Sequence, residues 1–399
     1  MEQNSIWKNI PVDILEQIMK HLPHREYLAL RAICYPWWIS VSNVMAKDNC
    51  HPLTELPLVL LRNEDSMFYS LSTESLHRPK TQLLKRTQFC HGSFEGWLIM
   101  GDYTVYTVEG FATFFFLNPV TNVRIMIPSK LYFPSNSLLY VEKMVASSKP
   151  GSDCYLAGLL DDFCHIAIYK PFDNSWTIIE PDKDSGIYFV EVEIIGTKLY
   201  VTTDKTSQSI LLVYDLKDWT NGPPKAEMLA KLPKLRPLVS SISGNHCIEI
   251  DHTICYLAKD EVSRELYLIY MICNVEYTTL HNYVLTYVEP PEVTTIEVYK
   301  LDMNKEPIGW QSVRLDDRVA FVSSCKSMVM SRDKLNYSKE LIRGNSIYFG
   351  FILKCIVNPW LGLKLGMFCL NDSSIKYFPL KTSNHCCAPD PVWFVPSLW

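Results

Sequence analysis

The sequence does not contain the residue spacings on which most enzyme active sites are built. It has no G-x-S-x-G, no G-x-x-x-x-G-K-[ST], no H-E-x-x-H and no dinucleotide-binding glycine pattern. Ser93 lies between Gly92 and Gly96, but this spacing is not that of a nucleophile elbow. The adjacent acids Asp316 and Asp317 would point to opposite faces of a strand, which is typical of turn residues. We therefore predict a chain with no catalytic side chain of its own.

The cysteines and histidines predict neither a metal site nor a cofactor. The chain has thirteen cysteines and ten histidines, and both types are dispersed. The tightest group is His385 with Cys386 and Cys387, and adjacent cysteines do not easily serve one tetrahedral site. An odd number of cysteines, in a chain that begins without a signal-peptide pattern, predicts reduced thiols. The expected location is the nucleus, the cytoplasm or both.

Composition limits the possible partners. The 48% apolar and 20% charged residues are typical of a globular protein with a sizeable core. A net charge of −5 argues against nucleic acid and anionic membranes as partners, because both require a basic surface. No apolar run approaches the ~20 residues that span a bilayer. We expect a protein partner instead.

The first forty-five residues have a helical pattern that the rest of the chain lacks. Pro11 suits the first turn of a helix, and Pro23 ends that helix. A second run covers Arg25 to Ile33, and Pro36 begins a third short helix. The apolar residues of the first helix recur at helical spacing: Ile14, Leu15, Ile18, Met19 and Leu22. Three helices this short bury too little surface to be stable alone, so the pattern favours a module that packs against a partner. The alternative is an amphipathic helix that packs on its own domain.

The order of landmarks in this module resembles an F-box. Ile10-Pro11 is followed by Ile14-Leu15, Leu22-Pro23 and an Arg-x-x-Cys-x-x-Trp-Trp pattern that ends at Trp38, while Tyr35-Pro36 stands where a basic pair is common. The resemblance implies a three-helix module that docks on the Skp-type adaptor of a cullin–RING ubiquitin ligase. The adaptor-binding residues that it implies are Ile10, Pro11, Ile14, Leu15, Ile18, Leu22, Trp37 and Trp38.

After the module the pattern changes to short alternating strands joined by tight polar turns. Seven hairpins of this kind begin at Leu56, Phe114, His165, Ile210, Thr253, Ile296 and Leu365. Their spacing of roughly 40–55 residues, with one longer gap, is that of kelch-like or WD-like blades. The pattern predicts a mainly β fold, a six- or seven-bladed propeller, with a β-sandwich as the alternative. Trp176 and Trp310 are expected to wedge between blades.

The β region resembles the KIB-type propeller that follows the F-box in certain plant proteins. The residues that carry this resemblance include Cys90-His91-Gly92-Ser93, Leu117-Asn118-Pro119, Ser175-Trp176-Thr177 and Val392-Trp393-Phe394. The expected organisation is an F-box over residues 6–44, a linker over 45–55 and the propeller over 56–399. The last strand, which begins near Trp393, is expected to close the ring by pairing with the first blade.

Together the two resemblances imply a substrate receptor of an SCF-type ubiquitin ligase. The adaptor would connect the chain to cullin and RING subunits, and the propeller would hold a target protein for ubiquitination. The target and the propeller residues that bind it are not indicated by the sequence. Two alternatives stay open: a propeller scaffold or binding protein that acts outside a ligase, and a propeller hydrolase or lectin.

Overall fold

The fold is that of a computed structural model, which describes the following residues: 10–20, 22, 30–45, 56–61, 67–78, 85, 87–104, 111–132, 140–151, 153–160, 164–173, 175–181, 186–204, 208–217, 223–234, 240–243, 247–280, 284–287, 292–335, 342–351, 364–380 and 391–397. Most of the predicted second helix, the predicted linker and the His385–Cys387 cluster lie outside these residues.

Among the described residues, two helices precede the strands. Helix α1 spans Val12–Lys20, and helix α2 spans Tyr35–Met45. The carbonyl of Pro11 accepts the first turn's hydrogen bonds, and Asp13 in that turn complements the positive end of the helix dipole. Proline therefore begins α1 as the sequence predicts, because its missing N–H is not needed there.

The described strands form five sheets, four of which have four antiparallel strands each. The first contains β1 (Leu58–Leu61), β2 (Met67–Ser70), β3 (Ser75–His77) and β27 (Val392–Phe394). The second contains β4 (Gln88–Phe94), β5 (Trp97–Thr104), β6 (Phe111–Asn118) and β7 (Val123–Tyr132). The third contains β8 (Val141–Ala146), β9 (Leu156–Leu160), β10 (Ile166–Tyr169) and β11 (Thr177–Ile179). The fourth contains β12 (Tyr188–Ile195), β13 (Lys198–Asp204), β14 (Ile210–Asp215) and β15 (Ala226–Lys231).

The fifth sheet has eleven strands. Its first part contains β16 (Ser240–Ser243), β17 (Cys247–Asp260), β18 (Leu266–Leu280), β19 (Val284–Tyr287), β20 (Glu292–Asp302) and β21 (Gly309–Ser312). Its second part contains β22 (Arg318–Val322), β23 (Met328–Ser331), β24 (Ser346–Phe351), β25 (Lys364–Cys369) and β26 (Ile375–Tyr377), with a 3-10 turn at Arg332–Lys334 after β23. The two parts join through a short parallel pairing of β17 with β23.

The seven predicted hairpins all form antiparallel strand pairs, but three of them, those from Thr253, Ile296 and Leu365, lie in the eleven-stranded sheet. The hairpin from Thr253 is the β17–β18 pair, and the hairpin from Ile296 is the β20–β21 pair. The long gap in the predicted spacing holds the additional strands β22 and β23, and β22 runs parallel to β24. The number of hairpins therefore exceeds the number of sheets.

The last strand closes the ring on the first sheet, which confirms the expectation for Trp393. Strand β27 pairs antiparallel with β1, with Trp393 opposite Val59. The Trp393 side chain is fully buried, and its Nε1 donates to the carbonyl of Val322 at 2.9 Å. The closing strand thus binds the first sheet by its backbone and the fifth sheet by its side chain.

Apolar clusters fill the space between consecutive sheets. Trp176 lies between the second and third sheets. Its ring centroid is 5.4 Å from the ring centroids of Phe114 and Tyr169, and its Nε1 donates to the carbonyl of Ser129. Trp310 packs on a cluster shared by the fourth and fifth sheets. Both tryptophans therefore wedge between neighbouring sheets, as the sequence predicts.

Candidate functional site

The two helices form a small core from one side of each. Leu15 and Met19 of α1 pack against Val41 and Val44 of α2, and all four side chains are buried. Leu15 and Met19 are four residues apart, so they share one face of α1. The broad apolar stripe of α1 is therefore divided between an inner face and the neighbouring outer face.

The outer face of α1 is apolar and exposed. Ile14 is 54% exposed and Ile18 is 37% exposed, although both lie next to fully buried residues in the sequence. Helix α2 adds Trp38, which is 45% exposed and stacks on Tyr35 with ring centroids 6.0 Å apart. We call the exposed apolar side chains Val12, Ile14, Ile18, Ile33, Tyr35, Trp38 and Ile39 the helical face. Such an exposed group on a small module is typical of an interaction surface.

The eight residues that the F-box resemblance implies fall into three groups. Pro11, Ile14, Ile18 and Trp38 are exposed; Ile10, Leu22 and Trp37 are partly buried against the module core; and Leu15 is buried. Leu15, with 1% of its surface exposed, packs inward and offers no surface to a partner in this conformation. The implied set thus mixes surface residues with the residues that support them.

Sequence reasoning did not single out Ile33, Tyr35 or Ile39, which are exposed with the predicted Trp38. Tyr35, Trp38 and Ile39 have the i, i+3, i+4 spacing of one helix side. Their exposure follows from the inward direction of Val41 and Val44, which is not evident from this short helix alone. The guanidinium of Arg31 lies 5.7 Å from the centre of the Trp38 ring and holds this ring in place by a cation–π contact.

A turn of the second sheet contacts the helices. Val120, in the turn between β6 and β7, packs on the core that Leu15 and Val41 form. This turn is held by the Asn118 side chain, whose Oδ1 accepts from the amides of Val120 and Thr121 at 3.0 Å. Asn118 also donates to the carbonyl of Ser397, so the same turn is tied to the segment after the closing strand.

Paired charges occupy the axis of the ring. Lys259 Nζ donates to Glu193 Oε1 at 2.9 Å and to the carbonyl of Ile194 at 3.1 Å, and it lies 4.8 Å from the centre of the Phe94 ring. Lys143 pairs with Glu191, and Lys326 pairs with Glu261 at 3.1 Å. These six residues, which we call the axial network, come from the inner strands of successive sheets and from the segments next to them.

Within the axial network, burial and ion pairing shift the pKa of a given residue in opposite directions. Burial raises the pKa of Glu191 to about 7, although Lys143 opposes this shift. At Glu261 burial would raise the pKa, but Lys326 and Lys259 outweigh it, and the pKa of this carboxyl is lowered. Burial would lower the pKa of Lys326, but Glu261 and Glu193 raise it. Five of the six charged residues, Lys143, Glu191, Glu193, Lys259 and Lys326, are nearly inaccessible, so the network is a packed polar core.

Within the described ranges, no three His, Cys, Asp or Glu side chains are grouped in a way that would hold a metal ion. Neither of the described helices combines the length and the apolar character that a bilayer crossing requires.

Comparison with solved structures gives distant similarities. A structure of YjhT is 10% identical, with a TM-score of 0.26, and the match covers 63% of this chain and 91% of that one. A putative 6-phosphogluconolactonase from Bacteroides fragilis is 11% identical, with a TM-score of 0.28 and coverage of 64% and 94%. The WD40 domain of SCAP from fission yeast is 13% identical, with a TM-score of 0.27 and coverage of 82% and 74%. Similarity at this level carries no inference about function.

No curated protein matches the chain in sequence. A family match does exist for the β region, and it agrees with the strand pattern and with the order of the sheets. Residues 68–365, which make up most of the chain, match the KIB1-4 beta-propeller profile, and the chain belongs to the KIB1-4 beta-propeller family.

Proposed function

We propose that the chain is a substrate receptor of an SCF-type ubiquitin ligase. In this proposal the N-terminal helices are an F-box that docks on a Skp-type adaptor, and the propeller binds a target protein. The observation that carries the proposal is the helical face, because Ile14, Ile18 and Trp38 are left outside the core of their own module. Burying each aliphatic side chain of this face would stabilise an interface by about 1.5–3 kcal/mol before association costs are subtracted.

The proposed propeller has six blades. The first four sheets supply one blade each, and the eleven-stranded sheet supplies two, which share the β17–β23 pairing. Contacts between the inner strands of successive sheets support a ring of this size, since β27, β4, β8, β12, β17 and β23 contact one another in that order.

The proposed mechanism is proximity and uses no catalytic side chain of this chain. The adaptor would connect the helices to cullin and RING subunits, and the propeller would hold the target near the ubiquitin-charged enzyme. Holding a target lysine near the thioester raises the effective concentration of the lysine, and this accelerates transfer without a change in the chemistry. The proposed location is the nucleus, the cytoplasm or both.

One observation favours a second candidate, a propeller binding protein that acts outside a ligase. Val120 of the second sheet packs on the helical core, so the helices make a contact with the propeller itself. In this alternative the helices are a structural part of the propeller. The two candidates differ in the role of the helical face, which needs a partner only in the first.

The experiment that separates the candidates is adaptor binding by the purified full-length chain. We expect a purified Skp-type adaptor to bind the wild type, and the double variant Ile14→Asp/Ile18→Asp to bind at least about a hundredfold more weakly, because two charges would replace buried aliphatic contacts. The matched control is Gln311→Asp/Ser312→Asp, which adds the same two charges at exposed polar positions of β21, outside the helices, and should bind as the wild type does.

Thermal unfolding of each variant shows whether the sheets are unaffected. A folded wild-type chain that does not bind the adaptor would contradict the ligase proposal and favour the second candidate. Equal loss of binding in Gln311→Asp/Ser312→Asp would show that charge, not the helical face, determines the result.

A further inference from the structure

A polar cavity opens on the second part of the eleven-stranded sheet, and none of its lining residues belongs to the helical face or the axial network. Its volume is about 430 Å³. Four segments form its walls: the connection from β21 to β22, the 3-10 turn after β23, the residues before β24 and the turn from β25 to β26. Its charged lining consists of Arg314, Arg332, Arg343, Asp316, Asp317 and Asp372. A volume near 430 Å³ is at the lower end of the range for ligand sites.

Asn345 fixes the walls of this cavity with both its side chain and its backbone. Its Nδ2 donates to Asn371 Oδ1 at 2.6 Å, and its Oδ1 accepts from the amide of Leu315 at 2.8 Å. Its backbone amide donates to the carbonyl of Arg318, and its carbonyl accepts from the amide of Leu370, both at 2.9 Å. Asn345 is buried, so three of the four segments are joined by one preorganised residue.

The deepest charged group in the cavity is the guanidinium of Arg332. The backbone amide of Arg332 donates to the carbonyl of Asp317 at 3.0 Å, which anchors the residue. Its Nε is buried and has no hydrogen-bond acceptor among the residues that the structure describes. Gly344 leaves room beside it, because a Cβ there would lie 2.9 Å from the carbonyl oxygen of Asp316 and 3.4 Å from Arg332 Nη1. A buried charged donor without an acceptor is costly, and an anion in the adjoining cavity would offset part of this cost electrostatically.

The three carboxylates of the cavity are exposed, and one of them already has hydrogen-bond partners within the chain. Asp372 accepts hydrogen bonds from the side chain and the backbone of Ser374, at 2.6 and 3.0 Å, and these hold its pKa down at about 2. Asp372 Oδ2 also lies 3.8 Å from Arg343 Nη1. Asp316 and Asp317 are exposed at the rim. The cavity therefore has one partly buried guanidinium, that of Arg332, and a rim that carries the exposed Arg314 beside the carboxylates of Asp316 and Asp317.

We propose that this cavity binds an anionic side chain, phosphorylated or carboxylate, of a peptide segment that has basic residues beside the anion. The guanidinium groups of Arg332 and Arg314 would bind the anion, and the rim carboxylates of Asp316 and Asp317 would pair with the flanking basic residues. The inference rests on the proposed function, because it assigns the class of target segment that the propeller binds. Guanidinium groups suit this role since their planar donors match carboxylate and phosphate oxygens.

The probe for the test is a labelled five-residue peptide with a central phosphoserine and a lysine at each end. Three related probes accompany it: the unphosphorylated peptide, the peptide with glutamate at the centre, and inorganic phosphate. We expect the full-length wild type to bind the phosphopeptide at least tenfold more tightly than the unphosphorylated peptide in fluorescence anisotropy, with the glutamate peptide between them. Inorganic phosphate should compete only weakly, because it lacks the basic flanks.

Arg332→Gln should weaken phosphopeptide binding at least tenfold, since it removes one charge-assisted donor pair. Arg314→Gln serves as a second variant because Arg314 is exposed, and its substitution leaves the fold intact. The matched control is Arg124→Gln, which removes a guanidinium from β7 of the second sheet and should leave binding unchanged.

Equal binding of the phosphorylated and unphosphorylated peptides would overturn the inference, and so would unchanged binding in a folded Arg314→Gln variant. Inorganic phosphate that competes as well as the phosphopeptide would overturn the assignment to a peptide. Adaptor binding measured on the same samples separates the two proposals. A chain that binds the adaptor but no peptide contradicts only this inference, whereas failure of adaptor binding contradicts the proposed ligase function.

Discussion

Ile14 and Trp38 in the helices are exposed apolar residues, whereas Lys143 and Lys259 in the sheets are charged residues with almost no exposure. Apolar side chains are usually buried and charged side chains exposed; the helices depart from this rule by exposing apolar residues, and the sheets depart from it by burying charged ones. The helices have too small a core to bury all their apolar residues, so a second surface is left for a partner. The sheets enclose a large core, and their buried charges are tolerated because each has a counter-charge within hydrogen-bonding distance.

The comparison predicts a large difference between two tryptophans. Trp393→Ala should destabilise the propeller by about 3–5 kcal/mol, because it leaves a cavity and removes the hydrogen bond to Val322. Trp38→Ala should change the stability of the chain by less than about 1 kcal/mol, because its side chain is 45% exposed. Urea denaturation followed by tryptophan fluorescence and by circular dichroism measures both. Equal effects of the two substitutions would contradict the contrast between the regions.

A second prediction tests whether pairing explains the buried charges. Lys259→Met leaves Glu193 buried without its partner, and we expect a loss of about 3–5 kcal/mol. The double variant Lys259→Met/Glu193→Leu removes both charges and should recover most of that loss. The midpoint of urea unfolding gives the comparison. If the double variant is as unstable as the single one, the loss does not come from leaving Glu193 unpaired, and the two side chains stabilise the fold in another way.

The third and smallest effect concerns pH. The pKa of Glu191 is raised from its usual 4.5 to about 7, so the folded chain keeps a proton that the unfolded chain has released between these two values. The contribution of this residue to the free energy of unfolding is therefore fully present below about pH 4.5 and decreases as pH rises toward 7.

The matched variant for this effect is Lys143→Met/Glu191→Leu. Its stability relative to the wild type should increase between pH 5 and pH 8, because the wild type alone loses the contribution of Glu191 over this range. Urea midpoints of both proteins at several pH values provide the measurement. A constant difference between the two proteins would contradict the assigned shift.

Local sequence signals predicted the hairpins, the turn at Asn118 and the wedged positions of Trp176 and Trp310. These features depend on neighbouring residues, on turn geometry and on the size of an aromatic ring. The resemblance to an F-box predicted where the helices lie, and the resemblance to a KIB-type propeller predicted the family that the profile match shows. The ring closure by Trp393 was predicted from its place at the end of the strand pattern.

Features that depend on the packing of distant segments were not predicted. Ile14 and Leu15 are adjacent and chemically similar, and only the position of α2 decides which of them is buried. Glu191 and Glu193 alternate along β12 as solvent-facing residues would, yet their side chains face the axis, where Lys143 and Lys259 meet them. Asp316 and Asp317 were interpreted as turn acids, and the cavity beside them is formed by segments that are distant in the sequence.

The pairing of β27 with β1 also determines when this protein can finish folding during synthesis. Leu60 leaves the ribosome about 330 residues before its partner Val392, which at roughly 5–20 residues per second is a delay on the order of 20–60 s. During this time the hydrogen-bonding edge of β1 has no partner strand, and such an edge is prone to pair with other chains. A nascent chain that is released before Val392 would keep this edge open permanently, so translation must be completed before the protein is safe from aggregation.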